Sequence, residues 1–149
     1  MSQPTKTPRQ IKLKVPPLLG SVLTRLFTAA TVKAGAVIPP ASALNLTRRT
    51  LLYFKSVGCV GCDELDMFIG RLASTSGLDL RVIDARRSEM PEHAYGDQLL
   101  LDKDGSIGRA YGVRMFPTLV LTTPAGEIEK VMAGASSREE EIRAGLGLN

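Results

Sequence analysis

Apolar positions change their spacing several times along the chain, and each spacing predicts an element. Leu51-Leu52-Tyr53-Phe54 is a continuous apolar run and predicts a short buried strand. Leu65, Phe68, Ile69 and Leu72 recur at steps of three and four, which predicts one core-facing stripe on a helix over about 60–76, stopped by Gly77. Leu78-Asp-Leu-Arg-Val-Ile-Asp84 alternates as a strand does, with Leu78, Leu80 and Val82 on one side. The polar stretch from Ala85 to Gly96 reads as a loop or irregular helix, with His93 a solvated loop residue. Gln98 to Leu101 is a second short apolar run, closed by the turn Asp102-Lys-Asp-Gly105. Ser106 to Gly112 reads as a short helix with Tyr111 packed inward. Val113 to Leu121 reads as a strand with Pro117 near its start, and after the turn Pro124-Ala-Gly126 its antiparallel partner is Glu127 to Met132. Ser136 to Glu140 has the look of a capping box, opening a last helix that runs to about Leu146.

Ahead of this pattern, Gln10 to Val15 alternates apolar and basic residues, which suits a half-exposed strand. After Pro16-Pro17 the spacing of Leu19, Val22, Leu23, Leu26, Phe27 and Ala30 is helical, and Ile38-Pro39-Pro40 is a linker or turn. Charge changes the picture here. Residues 1–50 hold eight Lys/Arg and no acid, whereas the remainder carries more acid than base, within a net charge of +4 for all 149 residues. The chain therefore divides into a basic N-terminal extension, 1–49, and a domain, 50–149. The extension has two open readings. One is a targeting segment with Ala41-Ser-Ala43 as a processing site, in which Arg25 and Lys33 favour an organellar transit peptide over a secretory signal. The other is a strand and helix packed onto the domain. Export to the cell envelope or an organelle is the favoured localisation, with the cytoplasm as the alternative. No apolar run approaches the roughly 18–20 residues of a membrane-spanning helix, and membrane association is left open. The body has no basic face interleaved with aromatics, which excludes nucleic acid as the expected partner.

The chemistry gathers at one point. Cys59 and Cys62 are the only cysteines, and they follow the first apolar strand at the mouth of the first long helix. Free N–H groups and the positive end of a helix dipole stabilise a thiolate, the nucleophile of disulfide exchange. By position, Cys59 is the exposed attacking thiol and Cys62 the partly buried resolving one. Gly58 and Gly61 leave the thiols open to approach. A zinc site would need four ligands, and two cysteines with a distant His93 do not supply them, so no metal is expected. Ser56-x-x-Cys59 is faintly similar to the peroxide-reducing motif of peroxiredoxins, but the proline that motif needs is Leu52 here.

Two anchors, Cys59-Val-Gly-Cys62 and Val113-Arg-Met-Phe116-Pro117-Thr118, stand in an order of strands and helices that resembles the thioredoxin superfamily over roughly residues 50–148. The resemblance implies an α/β thioredoxin-like fold, a mixed central sheet flanked by helices. It also implies that Pro117 follows a cis peptide bond against the thiols, and that Phe116 offers its backbone to a substrate strand. Gly58 and Val60, on either side of Cys59, would complete the substrate contacts. Leu101 to Val113 further resembles the TlpA/ResA-like branch of envelope thiol-disulfide reductases. Gly58 replaces the Trp usual before the first cysteine, and the inter-cysteine pair is Val60-Gly61. The acid that thioredoxin buries beneath its motif falls at Tyr53. Asp63, Glu64 and Asp66 would disfavour a thiolate if they face it, and Lys55 could compensate.

The expected activity is thiol-disulfide exchange with protein substrates, recharged by a redox partner protein and needing no cofactor beyond the cysteines. The alternatives are a thioredoxin-like binding or redox-sensing module without turnover, and a thiol peroxidase.

Overall fold

Thr50–Lys55 buries all six of its residues, and this strand, β1, lies at the centre of the sheet. The computed structural model describes residues 44–86 and 93–149. The expected strand and helix of the extension, and part of the polar stretch after Ala85, lie outside the described residues. Strand β2 (Asp79–Asp84) runs parallel to β1, and β3 (Leu99–Leu101) runs parallel to β2. On the other side, β4 (Thr118–Thr122) is antiparallel to β1, and β5 (Ile128–Ala133) is antiparallel to β4. The order is β3-β2-β1-β4-β5.

The unbroken apolar run of β1 has a simple cause: helices cover both faces of the sheet. Leu51 and Tyr53 join Leu80, Val82, Leu119 and Leu121 on one face, against Cys62, Leu65, Ile69 and Leu72. Those last four come from helices α1 (Val60–Asp66) and α2 (Ile69–Thr75). Leu52 and Phe54 point to the other face with Ile83, Val120 and Ile128, under Leu44, Ile107 and Tyr111. Ile107 belongs to α3 (Ser106–Ala110), whose first turn is held by Asp102, a buried carboxylate accepting the N–H groups of Ile107 at 3.1 Å and Gly108 at 2.8 Å. Helix α4 (Glu139–Leu146) returns to the first face through Ile142 and Leu146.

Four expectations need correction. The helix expected over 60–76 is two helices, because Met67 and Phe68 close tight turns onto the carbonyls of Glu64 and Leu65, and Phe68 leaves helical geometry at φ −140°. The tightened turn puts Met67 in solvent while Leu65, Ile69 and Leu72 still meet the core. The strand expected from Val113 starts only at Thr118, opposite Phe54, since Pro117 has no N–H to give a ladder. Arg138, the residue before α4, makes no side-chain capping bond, and the Ser136 hydroxyl accepts the Arg138 N–H at 3.1 Å, two residues on and not the three of a capping box. His93 is half-buried rather than solvated: its Nδ1 accepts the Tyr95 N–H at 3.0 Å and its ring stacks on Tyr95.

Candidate active site

Two devices place the cysteines. Gly58 takes a φ of +70°, a left-handed conformation that favours glycine, and so turns the chain from the end of β1 into α1. Cys59 then stops in an extended conformation as the residue preceding the first turn of α1. Its sulfur accepts the Cys62 N–H at 3.2 Å, and its carbonyl accepts the N–H groups of Cys62 and Asp63, each at 3.1 Å. A thiolate formed at Cys59 would find that same donor waiting, which lowers the cost of ionisation. Cys59 is half-buried, whereas Cys62 is wholly buried against Leu65 and the sheet. The two are joined as a disulfide, their Cα atoms 5.2 Å apart.

The Phe116–Pro117 peptide is cis, and Pro117 is buried. A Cβ built at Gly61 would stand 3.4 Å from Pro117 Cδ, so the proline ring lies directly against the turn between the cysteines. The Pro117 carbonyl accepts the Ala135 N–H at 2.8 Å, and the Thr118 hydroxyl bonds the Met115 carbonyl at 2.8 Å, fixing the loop from both sides. Around this point the surface is apolar: Val60 is 72% exposed, Val57 63% and Phe116 36%.

Beneath the motif the charges are sorted. Asp63 and Glu64 face solvent, while Asp66 turns inward. Asp66 accepts hydrogen bonds from Lys55 on one carboxylate oxygen and from the Tyr53 and Tyr95 hydroxyls on the other. Tyr53 stands where the resemblance would put an acid, and its hydroxyl also reaches the Cys62 carbonyl at 2.9 Å. Tyr95 gave no signal in the sequence, because it sits in a polar stretch whose fold brings it to an acid 29 positions away.

Burial raises the Tyr53 pKa, and the Asp66 carboxylate raises it further; burial and the hydrogen bond to Asp66 do the same to Tyr95. Burial alone raises Tyr111. These are all the tyrosines of the chain. The folded state thus keeps protons that the unfolded state releases above the ordinary phenol pKa of about 10, so this contribution is intact below that pH and is lost as pH rises past it. Ultraviolet titration is expected to show phenolate only as tertiary circular dichroism disappears. Phenolate appearing at about pH 10 in protein that is still folded would contradict the burial argument.

The family model described as a thioredoxin-like domain matches residues 41–146. The chain belongs to the thioredoxin-like domain family. No curated protein matches it. Among solved structures, this thioredoxin-like chain is similar to the thioredoxin domain of a thiol-disulfide oxidoreductase from Bacteroides vulgatus, at 16% identity and a TM-score of 0.59 over 80% of this chain and 100% of that one. It is similar to a secreted disulfide oxidoreductase of Mycobacterium tuberculosis homologous to E. coli DsbE, at 16% identity and a TM-score of 0.53 over 80% and 97%. A third likeness is the exposed lipoprotein thioredoxin Etrx1 of Streptococcus pneumoniae, at 17% identity and a TM-score of 0.54 over 69% and 86%. At these identities the likenesses establish the thioredoxin-like fold. Among the described residues, no three His, Cys, Asp or Glu side chains gather as a metal site, and no helix is long and apolar enough to cross a membrane.

Proposed function

We propose that this thioredoxin-like protein is a thiol-disulfide oxidoreductase that exchanges disulfides with protein substrates through Cys59 and Cys62. The observation that carries the reading is the pairing of a half-buried Cys59, its sulfur already accepting a helix N–H, with a fully buried Cys62. In the reducing direction the Cys59 thiolate attacks a substrate disulfide, one substrate sulfur leaves as a thiolate and takes up a proton, and a mixed disulfide forms. Cys62 then loses its proton and attacks Cys59, so the Cys59–Cys62 bond forms and the second substrate sulfur leaves. The oxidising direction is the reverse.

Substrate lies along Phe116 and Pro117, with Gly58 and Val60 flanking the attacking sulfur. The exposure of Val60 and Phe116 supports an apolar contact there, and the Phe116 backbone suits strand-like pairing with an extended segment. A redox partner protein returns the cysteines to their starting state. The division into an extension, 1–49, and a domain, 50–149, is part of the same proposal, with Leu44 and Leu46 as the stretch of the extension that joins the core. The acid-free basic N-terminus, together with likenesses that include an exposed lipoprotein and a secreted enzyme, supports work outside the cytoplasm. The N-terminus of native material, read by mass spectrometry, tests that placement: an intact Met1 would count against a cleaved leader.

The test of the function is a redox equilibrium. The protein is equilibrated in glutathione buffers of graded ratio, and free thiols are trapped with a mass-adding alkylator. The expected result is a reversible two-electron transition at one midpoint, near or below about −200 mV for a reductant and near about −120 mV for a disulfide donor. Thiols that never close into an internal disulfide would remove the exchange reading and leave a binding module.

A further inference from the structure

We infer that Lys55 and Asp66 form a charge-balancing pair for the Cys59–Cys62 thiols, the lysine cancelling an anion that the cysteine helix carries one turn beyond Cys62. The inference rests on the exchange reading and says how this chain sets its thiol reactivity. Asp66 is four residues after Cys62, hence on the same side of α1. Of the three acids that follow the motif, it alone turns inward. Three donors converge on it, which suits a carboxylate, a group that only accepts. Lys55, the last residue of β1, is only 9% exposed, and a cation so placed requires a partner. The Tyr53 hydroxyl ties the pair to the motif, touching the Asp66 carboxylate at 3.1 Å and the Cys62 carbonyl at 2.9 Å. Neutral Tyr53 and Tyr95 add donors without adding charge.

The pair also reaches water. A cavity of about 190 Å³ opens beside it, lined by Lys55, Asp66, Asp84, Arg86, His93 and Tyr95. Across that cavity Asp84 and Arg86 pair with each other at 3.0 Å, so the second pair adds little net charge. Among the described residues, His93 is the remaining titratable group in the wall, and Asp63, on α1 itself, points to solvent. The charge beneath the motif, among the described residues, is therefore the balance of Lys55 against Asp66. Removing the lysine would leave a lone anion, which disfavours a thiolate. Removing the acid would leave a lone cation, which favours one.

The full chain, reduced, is compared with Lys55→Met, Asp66→Asn and the double variant, reading the pH profile of Cys59 alkylation by iodoacetamide and the glutathione redox midpoint. In Lys55→Met the Cys59 pKa is expected to rise by about half a unit or more, with alkylation near neutral pH slowed about threefold. In Asp66→Asn it is expected to fall by a similar amount, and the disulfide becomes easier to reduce. The double variant, which buries no lone charge, is expected to return toward the parent. A purely structural role would move both single variants the same way. If Lys55→Met does not fold, the comparison of Asp66→Asn with the double variant still measures the sign of the lysine's effect. Single variants that shift together, or not at all, in a protein whose parent closes and opens its disulfide would overturn this inference alone. A parent that never forms the disulfide would overturn the exchange reading itself.

Discussion

Cys59→Ser is expected to reduce disulfide exchange to the uncatalysed background, while Cys62→Ser halts the cycle one step later with the mixed disulfide intact. The asymmetry comes from burial. Cys59 is only half-buried and has a helix N–H already on its sulfur, so it makes the first bond to substrate. Cys62 is wholly buried and can attack only the sulfur beside it. Without Cys62 the intermediate has no internal nucleophile, and the adduct persists until an outside thiol releases it. Turnover of a protein disulfide measures the first effect. Intact mass after non-reducing quenching measures the second, as the mass of one substrate chain added to the Cys62→Ser protein. Equal turnover in both variants would sink the assignment of roles.

The largest effect on stability is expected from Phe54→Ala. Phe54 is 1% exposed and packs its ring 5.5 Å from that of Tyr111, at a tilt of 51°. Leu44, Ile83, Ile107, Val120 and Ile128 complete its surroundings. Truncation removes the apolar area and leaves a cavity that a sheet fixed by ladders on both sides cannot collapse to fill. A loss of about 3–5 kcal/mol is expected, against a whole-domain stability of about 5–15 kcal/mol. Urea unfolding should show a lower midpoint at an unchanged slope. A loss below about 1 kcal/mol would mean that the helix side of this cluster repacks.

The elements that were legible in the sequence are those whose spacing reports directly on burial. The run at β1, the alternation at β2 and the stripe of Leu65, Ile69 and Leu72 all reappear at their expected places. What misled was continuity. The same stripe hides the break at Met67 and Phe68, because a tightened turn preserves which residues face the core. Val113 to Pro117 has strand-like composition, yet it forms the loop that holds the proline against Gly61.

By itself, the sequence determined the separate strands and helices and the placing of two cysteines at a helix mouth, because each depends on local spacing. The mixed sheet and the proline against the thiols were legible only through the resemblance to the thioredoxin superfamily. Only the tertiary structure decided what stands beneath the thiols. Asp63, Glu64 and Asp66 look alike in sequence, and helix rotation alone turns one of them inward. The partners of that acid, Lys55, Tyr53 and Tyr95, come from a strand before it and a loop well after it. Their meeting depends on how the sheet and helices pack, a long-range outcome that no local pattern encodes.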